Sequence, residues 1–131
     1  MLARPGVRER PRLRTRRDHH RHRQLVHVVV SERGAGFTWA DNSYFFRLTP
    51  WHNDPVSDPI SDVLYLRDEA TGEVWSATPA PLGHDTAFTV RHAAGTSVFE
   101  SERSHIATAL TLAMADDEPV RLSILRVTNR D

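Results

Sequence analysis

From Leu25 onward the chain is a succession of short apolar runs, each cut off by turn-forming residues, a texture that specifies an all-β sandwich rather than a helical domain. The runs fall at 25–31, 36–40, 63–67, 73–76, 87–92, 97–102, 106–114 and 120–128. In the fifth, Phe88 and Val90 alternate with Ala87, Thr89 and Arg91, so both point to one face of a strand. In the seventh, Ile106, Leu110, Leu112 and Met114 share a parity, although its alanines and leucines would also tolerate a helix. The last run puts Val120, Leu122 and Ile124 on one parity and Leu125 and Val127 on the other, a pattern that predicts a bulge or burial on both faces. Between runs three and four, residues 68–73 read as a hairpin connection with Gly72 able to take positive φ; 93–95 and 116–119 do similar work later. The stretch 50–59 is too rich in proline to pair as a central strand and reads as a surface loop.

A chain of 131 residues has room for one domain or a piece of one. It contains no cysteine, which excludes disulfides and thiolate metal sites and fits a bacterial cytoplasm. The longest apolar run, 25–30, is interrupted by His27 and falls far short of the roughly 20 residues that cross a bilayer, so no membrane contact is expected from this segment. The net charge of zero hides two opposite parts: residues 1–24 carry nine arginines against Glu9 and Asp18, and residues 25–131 carry eight arginines against fifteen acids. The first part is almost free of apolar side chains and cannot offset its ordering entropy. It reads as a disordered basic segment, 1–24, ahead of a sandwich domain at 25–131. Its arginines invite a nucleic-acid role, but no aromatic residues interleave with them, and none is expected. Its histidines, His19, His20 and His22, sit among arginines whose charge opposes a bound dication, so no metal or other cofactor is expected.

The segment 34–59, GAGFTWADNSYFFRLTPWHNDPVSDP, mixes flat aromatic faces with amides, an arginine and aspartates. That mixture suits a sugar, whose C–H faces lie on rings while its hydroxyls need donors and acceptors. Phe37, Trp39 and Trp51 supply the faces; Asn42, Arg47, Thr49, Asn53 and Asp54 supply the polar groups. Together with VLYLRDEATGEVWSATPAP at 63–81 and the VRH-containing stretch from Val90, this segment resembles the amino-terminal β-sandwich domain of glycoside phosphorylases related to cellobiose phosphorylase. It resembles in particular the phosphorylase-like carboxy-terminal part of cyclic β-1,2-glucan synthases. The likeness runs from about Val30 to Asn129, with Tyr44-Phe45-Phe46 standing where the family has a more polar stretch.

The resemblance implies an antiparallel sandwich, here partial and lacking the (α/α)6 barrel that carries the catalytic acid in the family. It therefore implies no catalytic residue in this chain. In the full-length enzymes it implies a β-glucan or glucooligosaccharide and phosphate as substrates, a homodimer, and a pocket wall drawn from the region of Asn42, Arg47, Thr49, Trp51, Asn53 and Asp54. Phosphate is itself the nucleophile in such chemistry, so one carboxylic acid suffices. Other roles remain open at this point. A free-standing carbohydrate-binding module would use Trp39 and Trp51. Arg47 could pair with Asp54 or Asp58 to pin the loop, Trp39 and Trp75 could fill the core, and Asp41, Asp54 and Asp58 precede residues typical of Asx turns.

Overall fold

A computed structural model describes residues 25–54, 56–83 and 85–130. The expectation of a disordered basic segment at 1–24 lies outside the described residues. Eight strands follow in order: β1 (Val26–Val30), β2 (Gly36–Ala40), β3 (Tyr65–Arg67), β4 (Val74–Ser76), β5 (Phe88–Ala93), β6 (Thr96–Arg103), β7 (Ile106–Met114) and β8 (Arg121–Asn129). Every one overlaps one of the eight expected runs, within two residues at either end, and the described residues contain no helix. Residues 106–114 form the longest inner strand, because their alternate large side chains meet a partner on each side.

β5 to β8 form an antiparallel meander in the order β5-β6-β7-β8, while β1-β2 and β3-β4 are separate hairpins. Register places Val90, Phe99, Leu110 and Leu125 in one row across the meander, from β5 to β8. Its first three members, Val90, Phe99 and Leu110, belong to the apolar core. Ala77, Phe99 and Leu110 are buried at its centre, with Val30 of β1, Leu66 of β3, Phe88, Val90 and Leu112 packed against them. The two hairpins thus form a second layer over one face of the meander. Trp75 of β4 is buried and fills this layer, one of the two roles its large aromatic side chain allowed.

Two arginines lock the layers together. Arg103, at the end of β6, donates from Nε to Glu73 Oε1 at 2.9 Å, pairs with the same carboxylate through Nη2, and reaches Thr86 Oγ1 at 3.3 Å. Arg121, which opens β8, donates to the buried Thr38 Oγ1 of β2 at 2.9 Å and pairs with Asp62. Buried hydroxyls are satisfied locally: Ser76 Oγ donates to Thr78 O at 2.6 Å and Thr78 Oγ1 to Ala80 O at 2.8 Å.

The hairpin at 68–73 forms as expected, with Gly72 at φ 75° and the Gly72 amide donating to Asp68 O at 2.7 Å. One expectation fails. β8 pairs with β7 residue for residue from Arg121 to Asn129, so it has no bulge. It is not buried on both faces either: Leu122, Ile124, Leu125 and Val127 are all exposed. Among the described residues β8 is an edge strand with a single neighbour, and the hairpin layer reaches its first residue, Arg121, while leaving its apolar side chains exposed.

Candidate functional site

Alternation along the first hairpin decides which side chains face outward. Register sets His27 opposite Trp39 and Val29 opposite Phe37, on the face away from the core that receives Val30 and Thr38. The rings stack. His27 and Trp39 lie 5.1 Å apart at 14°, Phe37 and Trp39 4.7 Å apart at 26°, and Phe37 and Trp51 5.6 Å apart at 43°.

The chain after β2 is folded back so that Trp51 joins this row. Asp41 takes φ 51° and ends the strand. Asn42 Oδ1 then accepts from the amides of Tyr44 at 2.8 Å and Phe45 at 3.1 Å, an Asx turn that the Phe46 amide closes by donating to Asn42 O at 2.9 Å. The backbone returns alongside β2: Arg47 bridges Trp39, the Leu48 amide donates to Thr38 O at 2.9 Å, and the Thr38 amide donates to Thr49 Oγ1 at 2.8 Å. Two residues later the indole of Trp51 meets Phe37. Asn42 and Thr49 thus hold the backbone that delivers Trp51.

Next to Trp51 lies an open groove of about 250 Å³ lined by Val29, Phe37, Trp51, His52, Asn53, Asp54 and Asp58, among others. One wall is apolar. The other carries a carboxamide and two carboxylates. Asp54 Oδ1 accepts from the amides of Val56 at 3.0 Å and Ser57 at 3.1 Å, and its Oδ2 accepts from Ser57 Oγ at 2.6 Å. The Ser57 hydroxyl first, then the Ser57 and Val56 amides and the nearby His52, hold the Asp54 carboxyl below the usual aspartate value against a small opposing effect of desolvation. Both Asp54 oxygens are thus engaged as hydrogen-bond acceptors within the loop. Asp58 accepts from Ser31 Oγ at 2.6 Å, and Arg33 donates to Ser57 O at 3.3 Å, which ties the loop wall to the β1-β2 connection.

Of the six candidate residues, the groove brings together Trp51, Asn53 and Asp54. Arg47 stands behind Trp51: its guanidinium carbon lies 4.8 Å over the Trp51 ring and 5.6 Å from the Tyr44 ring, and Nε donates to Ser43 O at 2.8 Å. It engages rings instead of pairing with Asp54 or Asp58. Trp39 is half-buried and lies outside the groove lining, with His27 stacked on it from the partner strand and Phe37 from its own. Val29 and His52 were missed by sequence reasoning. The alternation of His27 and Val29 against Val26, Val28 and Val30 carried the signal for Val29.

Comparisons with known proteins agree with this architecture. The family model described as "Glycosyl hydrolase 94, supersandwich domain" matches residues 15–131, so the match begins earlier than the resemblance noted from Val30. The chain is 33% identical over 102 residues to the cyclic beta-(1,2)-glucan synthase NdvB of Rhizobium meliloti (strain 1021), covering 77% of this chain and 4% of that protein. It is 25% identical over 105 residues to the N,N'-diacetylchitobiose phosphorylase of Vibrio furnissii, covering 78% of this chain and 13% of that protein. The chain thus spans only a small part of the length of either relative. With an antiparallel β architecture throughout its described residues and a family match over most of its length, the chain belongs to the glycosyl hydrolase 94 supersandwich domain family.

Proposed function

We propose that this chain is a non-catalytic, carbohydrate-associated element of a glycoside phosphorylase or cyclic β-1,2-glucan synthase, and that the groove beside Trp51 forms part of a glucan pocket wall. The observation that carries this reading is the pairing of an apolar wall, Val29, Phe37 and Trp51, with acceptors at Asn53, Asp54 and Asp58. A neutral sugar presents C–H faces to the first and hydroxyl donors to the second. Trp51 is 40% exposed, so its indole is available for such contact. The names of the relatives, one a β-(1,2)-glucan synthase and the other a chitobiose phosphorylase, favour a glucan or related oligosaccharide over other ligands with the same surface chemistry. In the full-length enzyme the partners would be β-glucan or glucooligosaccharide and phosphate, with the groove near the surface between two subunits.

Replacement of Trp51 tests the reading. Trp51→Ala should leave the thermal midpoint within about 4 °C of the parent, as for a surface substitution, while weakening a linear β-1,2-glucooligosaccharide roughly tenfold in isothermal titration. Unchanged affinity would remove the groove from sugar binding. Collapse of the fold would make Trp51 a packing residue.

A further inference from the structure

We infer that Arg47 is a positioning residue: it holds the Trp51 indole as a preformed wall of the groove and does not itself touch the ligand. The inference rests on the proposed sugar groove for its functional meaning, but the latch is visible without any ligand. The Arg47 guanidinium is held at three points. Nε donates to Ser43 O at 2.8 Å, and the planar cation lies over Trp51 at 4.8 Å and near Tyr44 at 5.6 Å. Its backbone is fixed as well, through the bridge to Trp39. The groove lining contains Trp51 and omits Arg47, so the cation meets the ring without lining the ligand space.

Each of these contacts has a physical consequence. An arginine paired to an aspartate would leave Trp51 free to rotate over the surface. Here Asp54 is engaged by the amides of Val56 and Ser57 and the Ser57 hydroxyl, and Asp58 by the Ser31 hydroxyl. The guanidinium lies instead over the electron-rich ring faces, with the Ser43 carbonyl accepting from Nε. A ring held on one side by a cation and met on another by Phe37 at 5.6 Å loses its rotamer freedom before any sugar arrives. Affinity gains because less ordering remains to be done on binding. Replacing the planar cation with an apolar chain of similar length removes the hold on the ring while leaving the groove wall chemically intact.

The experiment compares Arg47→Met, Arg47→Lys, Trp51→Ala and the Arg47→Met/Trp51→Ala double variant of the 131-residue chain. The indole N–H resonance of Trp51, identified by its loss in Trp51→Ala, is recorded without sugar, with that of the buried Trp75 as internal control for the fold. Arg47→Met should move the Trp51 signal and raise quenching of its fluorescence by acrylamide, and Arg47→Lys should restore part of the parent behaviour because it keeps the cation. Affinity for a linear β-1,2-glucooligosaccharide should fall roughly 3- to 10-fold in Arg47→Met, and the double variant should bind no worse than Trp51→Ala alone. A Trp51 signal unmoved in Arg47→Met overturns the latch. Losses that add in the double variant show that Arg47 touches the sugar directly and overturn the positioning role. If the parent does not bind the oligosaccharide at all, the proposed sugar groove fails, while the ligand-free indole signal still decides whether Arg47 holds Trp51.

Discussion

Phe99→Ala should unfold this domain under conditions in which most single substitutions leave it intact. Phe99 is fully buried, the largest such side chain among the described residues, and it sits between Val90 and Leu110 in the middle of the meander. Truncation withdraws about 150 Å² of apolar surface, worth about 4 kcal/mol at about 25 cal/mol per Å². Measured Phe→Ala changes in cores cost about 3–5 kcal/mol, and the upper part of that range applies where the surroundings cannot close over the gap. Here they cannot. One neighbour, Ala77, has no side chain to extend into the space, and Leu110 is held in register by both β6 and β8. Domains of this size hold only about 5–15 kcal/mol in total, and each kcal/mol shifts the midpoint by roughly 4–8 °C, so a fall of about 12–40 °C is expected. Urea denaturation followed by far-ultraviolet circular dichroism measures the change, with Ile124→Ala as the comparison. Ile124 is equally apolar but 57% exposed on β8, and its loss should cost about 0.5 kcal/mol or less. A Phe99→Ala loss below about 1 kcal/mol would refute the core assignment. An Ile124→Ala loss matching it would show that the β8 margin is covered in solution.

Two further substitutions probe the turn chemistry around the groove. Gly36 takes φ 148°, and a Cβ there would lie 1.9 Å from the Val29 carbonyl oxygen, so Gly36→Ala should destabilise the first hairpin by at least about 1–3 kcal/mol and disturb the His27–Trp39 stack, read from near-ultraviolet circular dichroism. The Asp54 carboxyl should titrate below its ordinary value of 3.8 in a carbon-13 pH series, and Ser57→Ala should raise it by removing the largest cause of the depression. The sign follows from the lowered folded-state pKa: the stabilisation is complete above the ordinary aspartate pKa and disappears as pH falls through the folded value. Parent and Ser57→Ala should therefore differ at neutral pH and converge in acid, and identical Asp54 titrations in the two would contradict the hydrogen-bond account.

The strands were legible because alternation and turn residues act locally. Phe88 and Val90 face the core as their parity requires, and Gly72 and Gly95 take the positive φ that their hairpins need. The turn between β6 and β7 was harder to read. Ser104 and His105 take φ 49° and 64°, a primed hairpin turn made without glycine or asparagine, and the tight register from Arg103 to Ile106 forces it. Cross-strand contacts were not legible at all. Trp39 reads from sequence as a flat face beside polar groups, yet its availability depends on which residue the register sets opposite, and that residue is a stacked histidine. Arg47 follows the same logic. Charge and spacing along the chain suggest Asp54 or Asp58 as its partner, but those carboxylates accept from Ser57 and Ser31, and the cation lies over the aromatic faces. β8 reverses the case: its apolar residues on both parities reflect a strand suited to burial on two faces, while exposure is set by how far the hairpin layer extends over the meander, a property of the second layer and not of the strand. A groove built from one strand face and one loop wall is therefore specified by register and by competition for hydrogen-bond partners. Trp51 becomes a wall only after Asn42, Thr49 and Arg47 have been committed to holding the chain that carries it.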